Sequence, residues 1–234
     1  MLYEGKAKKL FETDDPSVLL IEYKDSMTAF NAQKKSNVSG KGSLNNKISG
    51  NLLEYVDSLG IPTHFVKMVD ETHQLVRRVE IIPLEVVVRN ITTGSLCKRL
   101  GVPEGVELPR PLLEFYLKDD ALGDPIVTED HISAFGWASP AEVDEIKRIS
   151  LDVNNILRRR FLQIDIVLVD FKLEFGRTSE NTVILADEIS PDTCRFWDKS
   201  SGERLDKDRF RKDLGSVIDA YREVWKRISK EEKQ

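Results

Sequence analysis

Two cysteines, Cys97 and Cys194, are all the thiol chemistry the chain offers, and no CxxC spacing joins them. His64, His73 and His131 are scattered, so neither a disulfide framework nor a zinc site is expected. No apolar run approaches the ~20 residues of a bilayer span, and the opening MLYEGKAKKLF lacks the apolar stretch of a secretory signal. We therefore expect a reduced, cytoplasmic protein with no membrane partner. Positive charge is not in excess either. A net charge of −5 argues against a nucleic-acid partner, because proteins that track phosphates carry a basic face. Walker glycines, a Ser-His-Asp or Cys-His nucleophile, internal repeats and low-complexity segments are all missing. What remains is a chain of 234 residues, 40% hydrophobic and 32% charged, enough for one large domain or two lobes around a sizeable core.

The stretch that stands out is 165–198, DIVLVDFKLEFGRTSENTVILADEISPDTCRFWD. Strand alternation puts Val167, Val169, Phe171, Leu173 and Phe175 on one face and Asp170, Lys172 and Glu174 on the other. If Glu180-Asn181 is a two-residue hairpin loop, Ser179 faces Thr182 and Glu174 faces Asp187. Opposed carboxylates repel at the ~5 Å between facing Cβ atoms. A divalent cation between them would relieve that, and Mg²⁺ is the usual choice beside a bound nucleotide.

Taken in order, residues 1–80 read as a β-rich lobe with one helix. Gly5 at a bend, followed by Lys6 and Lys8 on one side of an extended run, has the form of a phosphate-covering loop. A solvated edge hairpin is the alternative. Residues 25–43 read as a long polar loop. It delivers a helix whose stripe is Leu44, Ile48, Leu52, Val56 and Leu59, with Ser43 as N-cap. Residues 81–90 read as the link between lobes, and the backbone before Pro83 could hold a flat base. Arg89 ends a buried strand, and Thr93-Gly94-Ser95 opens a short helix, an arrangement suited to an anion or to plain edge capping. Ser139-Pro140-Ala141-Glu142 is a capping box for a long helix. Asp206 caps one last helix, with Phe210, Leu214, Val217, Tyr221, Val224 and Ile228 as its buried stripe. The cations Lys207, Arg209 and Arg211 in its first turn oppose the helix dipole, which a bound anion would explain.

A metal pair with a lysine loop suits a nucleoside triphosphate, and the separate arginines suit a second anionic substrate. Asp170 and Lys172 could assist proton transfer or orient a substrate, or simply pair with each other.

The segments YEGKAK (3–8), TAFN (28–31), SGKGSLNN (39–46), IPLEVVVRN (82–90), EFYLKDD (114–120), LVDFKLEFG (168–176), LADEISPDTCRFWD (185–198) and DKDRFR (206–211) occur together and in order. In this the chain resembles the SAICAR synthetase (phosphoribosylaminoimidazole-succinocarboxamide synthase) family from Tyr3 to about Ile228. The resemblance implies an α+β, two-lobed fold: a kinase-like β-rich amino-terminal lobe (1–80) and a larger ATP-grasp-like lobe (81–234). It implies ATP-dependent joining of L-aspartate to carboxyaminoimidazole ribotide (CAIR) through an acyl phosphate, with Mg²⁺, in a homodimer. ATP would be held by Gly5, Lys6, Ala7, Lys8 and Ile81, and Mg²⁺ by Glu174 and Asp187. CAIR would meet Arg89, Gly94, Ser95 and Arg195, with Arg209 and Arg211 near its phosphate. Asp170 and Lys172 are the candidate catalytic groups. Many relatives carry Asp where this chain has Asn31, so no acid role is expected there.

Overall fold

The computed structural model describes residues 1–29 and 33–231. In chain order the elements are β1 (Tyr3–Glu4), β2 (Lys8–Glu12), β3 (Val18–Tyr23), β4 (Ser26–Ala29), β5 (Lys34–Asn37), α1 (Lys41–Ser58), β6 (Phe65–Met68), β7 (His73–Arg77) and β8 (Glu80–Ile91). They continue with α2 (Gly94–Leu100), β9 (Glu107–Leu117), β10 (Ile126–Val127), α3 (Glu129–Ala134), α4 (Pro140–Gln163), β11 (Ile166–Arg177), β12 (Val183–Ala186), β13 (Cys194–Asp198), α5 (Asp208–Arg211) and α6 (Val217–Glu231). The fold is α+β. A five-stranded antiparallel sheet runs β1-β2-β3-β7-β6, and a larger one runs β10-β9-β8-β11-β12. β13 also pairs with β11.

The larger sheet is organised by β11. One edge pairs with β8 over residues 170–177. The other is shared, residues 166–171 pairing with β13 and residues 174–177 with β12. Between them the chain at 187–193 leaves the sheet, and the Lys172 N–H donates to the Thr193 carbonyl at 2.9 Å. The apolar stripe of α4 (Val143, Ile146, Ile149, Val153, Leu157, Phe161) covers one face of this sheet. Its amino end carries the expected capping box, Ser139 and Glu142 each accepting from the other's backbone N–H. α1 packs against α6 and shares the core of the larger sheet, so Ile48, Leu52 and Val56 belong to one cluster with Val86, Leu173 and Tyr221. Leu19, Ile21, Tyr23 and Val76 form a separate small cluster.

Several local expectations are corrected. Residues 25–43 are not a loop throughout: β4 and β5 pair as a hairpin. α1 starts at Lys41, not after a Ser43 cap, because Asp25 reaches across and accepts from the Gly40 and Gly42 N–H groups at 3.1 and 2.9 Å. A carboxylate from outside the helix does the work of an N-cap. β8 runs straight through Pro83, which sits in a register shift against β11 where no ladder donor is demanded. The single last helix is two. Asp213 (φ 55°) and Gly215 (φ 93°) break it, and Leu214 is exposed.

The central hairpin register is off by one residue. Residues 178–182 form a wider turn closed by Thr178 N–H to the Thr182 carbonyl, with Asn181 left-handed at φ 59°. Glu174 therefore faces Ala186, and Asp187 lies just past the last pair. Asn31 lies outside the described residues.

Gly42 offers a test of how closely α1 approaches β3. Inside a helix, alanine ordinarily gains about 1 kcal/mol over glycine. Here the added Cβ would stand 2.5 Å from the Tyr23 carbonyl oxygen. We expect Gly42→Ala to lose about 1–3 kcal/mol through overpacking, read as a lower urea midpoint at unchanged slope. A raised midpoint would contradict the contact.

Candidate active site

A cleft of about 310 Å³ opens where β8 and β11 meet the 187–193 chain, and its walls are charged. Along one wall the charges alternate. Arg99 pairs with Glu114, and Glu114 with Arg89 at 2.7 Å. Arg89 meets Asp170 at 2.7 Å, Asp170 meets Arg195 at 2.8 Å, Arg195 meets Asp208 at 3.0 Å, and Asp208 meets Arg211 at 2.6 Å. Strand register places the centre of this series, since Asp170 lies opposite Arg89 on β8 and opposite Arg195 on β13. Arg89 also donates to Ser95 Oγ at 3.0 Å and to the Tyr116 hydroxyl at 3.3 Å. Gly94 lies under the Arg195 guanidinium, where a Cβ would stand 2.7 Å from Nη2, and its φ of +59° suits glycine as well.

The second wall uses lysines. Lys172 bridges Glu85 and Glu174 at 2.7 and 2.6 Å, and Lys118 takes the other oxygen of Glu174. Lys8 pairs with Asp187 and, at 3.0 Å, with Glu188. Burial pulls the Lys8 ammonium down, and these two carboxylates more than reverse it, holding it well above the usual lysine range. Lys172 behaves alike, with burial outweighed by Glu174, Asp187 and Glu85. Burial raises the Asp187 carboxyl, yet Lys8, Lys172 and Lys118 hold it far below its ordinary value.

Asp187 and Glu174 thus share a field in spite of the shifted register. Asp187 is left-handed at φ 61°, and this turn returns its side chain to Lys8 and to the neighbourhood of Lys172. Among the described residues no group of three or more His, Cys, Asp or Glu could cage a metal. Two carboxylates do fit Mg²⁺ when phosphate oxygens and waters supply the remaining ligands.

The other expected residues divide. Lys6, Arg89, Asp170, Lys172, Arg195 and Arg211 line the cleft together. Lys6 and Lys8 have different partners, Lys6 reaching Asp120 at 2.6 Å and Lys8 pairing with Asp187. Around them, Gly5 N–H donates to the Lys8 carbonyl and the Ala7 carbonyl accepts from Lys24, both at 2.8 Å. Ile81 is exposed and paired with Gly176, at the start of β8 and outside the cleft lining. Arg209 turns away to Glu203 and to the Leu214 carbonyl at 2.7 Å. The Lys172–Asp170 ion pair does not form, because each group has other partners.

Sequence reasoning missed Glu85, Glu114, Lys118, Glu188 and Asp208. Their partners lie far along the chain, apart from the nearby Arg195 and Arg211 that Asp208 holds, so periodicity carried little signal for them. Lys41, which the sequence alone left as either an anion clamp or surface charge, forms a buried pair with Asp192 at 2.7 Å, and the Tyr221 hydroxyl donates to the same carboxylate at 2.6 Å.

The family model described as SAICAR synthetase matches residues 1–228. A phosphoribosylaminoimidazole-succinocarboxamide synthase of Acidiphilium cryptum is 57% identical over 97% of this chain and 91% of its own. The crystal structure of the synthase of that name from Ehrlichia chaffeensis superposes with a TM-score of 0.96 at 47% identity, covering 97% of this chain and 98% of that one. A SAICAR synthetase in complex with ADP gives a TM-score of 0.94 at 47% identity, over 97% and 96%.

Behind Arg195, Asp206 accepts from the Phe196 and Asp208 N–H groups at 2.8 and 2.7 Å. Burial, then the neighbouring Asp208, pushes its carboxyl up to about 7 from the ordinary 3.8. The folded state therefore binds a proton more tightly than the unfolded chain, and this group's contribution to stability falls as pH rises between roughly 4 and 7. Asp206→Asn removes that titration. In urea unfolding at pH 4.5 and 7.5, wild type should lose stability relative to the variant on going to the higher pH. A difference that stays constant would reject the raised carboxyl.

Proposed function

The chain belongs to the SAICAR synthetase family, and on that premise we propose how its cleft divides the work. The enzyme is a ligase that joins L-aspartate to the carboxylate of CAIR with ATP, forming SAICAR, ADP and phosphate in purine biosynthesis. An aromatic carboxylate is a poor electrophile. Attack of its oxygen on the γ-phosphorus of ATP, with ADP departing, makes an acyl phosphate. The aspartate amine then attacks the acyl carbon, phosphate leaves, and the amine gives up a proton.

The observation that carries this assignment is the convergence of Lys8, Lys118 and Lys172 on Glu174 and Asp187, a cluster that reaches the cleft lining through Lys172. Lys8, with Lys6, Gly5 and Ala7 on the same loop, would cover the phosphates, and the backbone at Ile81 would face the base. Mg²⁺, held by Glu174 and Asp187, would neutralise charge on the phosphates. Lys172 sits between this cluster and Asp170, placed to orient the carboxylate that accepts the phosphoryl group. The ribotide would lie along Arg89, Gly94, Ser95 and Arg195, with Arg211 near its phosphate. We also propose a division of labour at residue 80 between a nucleotide-covering lobe and a larger lobe, and a cytoplasmic homodimer. Among the described residues no helix is long and apolar enough to cross a membrane.

A small-molecule kinase would share the metal pair but ignore aspartate. The discriminating measurement is ADP release from ATP and CAIR with and without aspartate, the product being identified by mass. We expect SAICAR, with turnover dependent on aspartate, and losses of about 10²-fold or more in kcat for Glu174→Gln. Arg89→Ala should chiefly weaken CAIR. Turnover indifferent to aspartate would sink the ligase reading.

A further inference from the structure

Among the described residues six cationic side chains line the cleft, and five of them have a carboxylate partner: Lys6, Arg89, Lys172, Arg195 and Arg211. The sixth is Lys207. Among the described residues its ammonium has neither a hydrogen bond nor an ion pair. Burial, with Arg211 and Lys41 nearby, lowers its pKa, while Asp192 opposes this. A desolvated ammonium should collapse onto the nearest carboxylate. Asp192 is close enough to act on it, and the two line the same cleft.

Asp192 is instead held by two other donors, one on each oxygen. Lys41, itself fully buried, holds Oδ2 at 2.7 Å, and the buried Tyr221 hydroxyl donates to Oδ1 at 2.6 Å. The two donors come from α1 and α6, which pack against each other outside the sheet. Backbone hydrogen bonds fix the geometry further, since Lys207 N–H donates to the Pro191 carbonyl at 3.1 Å and Asp192 N–H to Ser190 Oγ at 3.1 Å. The other acids near this end are also occupied, Asp208 by Arg195 and Arg211 and Asp170 by Arg89 and Arg195.

We propose that Lys207 is the cleft's open anion seat, taking an oxyanion of a substrate other than the nucleotide, and that Tyr221 and Lys41 keep it open by locking Asp192. The reaction brings two such substrates: one with two carboxylates beside its amine, the other with a phosphate. Tyr221 acts here as a positioning residue that touches no substrate. The inference rests on the ligase reading for the identity of those substrates.

The test uses the full chain with ATP, CAIR and aspartate, measuring SAICAR by mass and each KM separately. Lys207→Met should raise the KM of aspartate or of CAIR at least tenfold while leaving that of ATP within twofold; whichever rises identifies the seated anion. Lys207→Arg should recover most of the loss. Tyr221→Phe removes only the hydroxyl, frees one Asp192 oxygen for Lys207, and should raise the same KM several-fold, whereas a merely structural role would lower the active fraction without moving any KM. Both non-nucleotide KM values unchanged in Lys207→Met, or a rise in the ATP value alone, would overturn the seat. A normal KM in Tyr221→Phe beside a raised one in Lys207→Met would overturn the lock. If wild type forms no SAICAR the ligase reading itself fails, an outcome distinct from all of these.

Discussion

The structure depends on pairing a row of largely buried charges. Arg99, Glu114, Arg89, Asp170, Arg195, Asp208 and Arg211 alternate in sign across α2, β9, β8, β11, β13 and α5. Desolvating any one alone would be prohibitive, and removing an inner member of a buried pair typically costs about 3–5 kcal/mol. β9, β8, β11 and β13 are thereby each tied to the next by charge as well as by the backbone ladder. The row also explains local choices that packing alone does not. Gly94 is required where the Arg195 guanidinium lies on the backbone, and Tyr116 serves both Arg89 and Arg99. Four arginines against three acids leave the row positive by one, 4 − 3, so the wall neutralises itself and still favours an anion.

Much of this was legible in the sequence, for reasons that can be traced to particular residues. The alternation in β11 separates Asp170, Lys172 and Glu174 from the apolar face, because strand periodicity is strictly local. The Ser139–Glu142 capping box is local too, and the long helix after it forms where expected. The failures share a cause. Asp25 caps α1 from across the β4–β5 hairpin, and no pattern within 25–43 signals that. The turn at 178–182 takes a wider form than Glu180-Asn181 suggested, which moved the partner of Glu174 to Ala186. Asp187 still joins the cluster, but through a left-handed residue after the strand and not through facing strand positions. Arg209 and Arg211 looked equivalent in sequence, yet two positions apart on α5 they fall on different faces, and only Arg211 lines the cleft.

The two walls differ in the kind of cation they use, and the difference has a physical consequence. Around the Arg89–Asp170–Arg195 centre the cations are guanidinium groups, planar forks that fix geometry and never lose charge. Around Glu174 and Asp187 they are Lys8, Lys118 and Lys172, compact charges on long flexible stems. A lysine can release a carboxylate and turn to a phosphate with little rearrangement of the backbone, whereas a locked arginine fork cannot do so without breaking several bonds at once. One wall is therefore built to hold a shape and the other to exchange partners. In a reaction where a phosphoryl group moves from one oxygen to another, the transferring charge needs the adaptable side and the accepting substrate needs the fixed one. Lys207 belongs to the adaptable kind but lines the cleft at the arginine end with Arg211, so the wall built to hold a shape also carries one cation on a flexible stem.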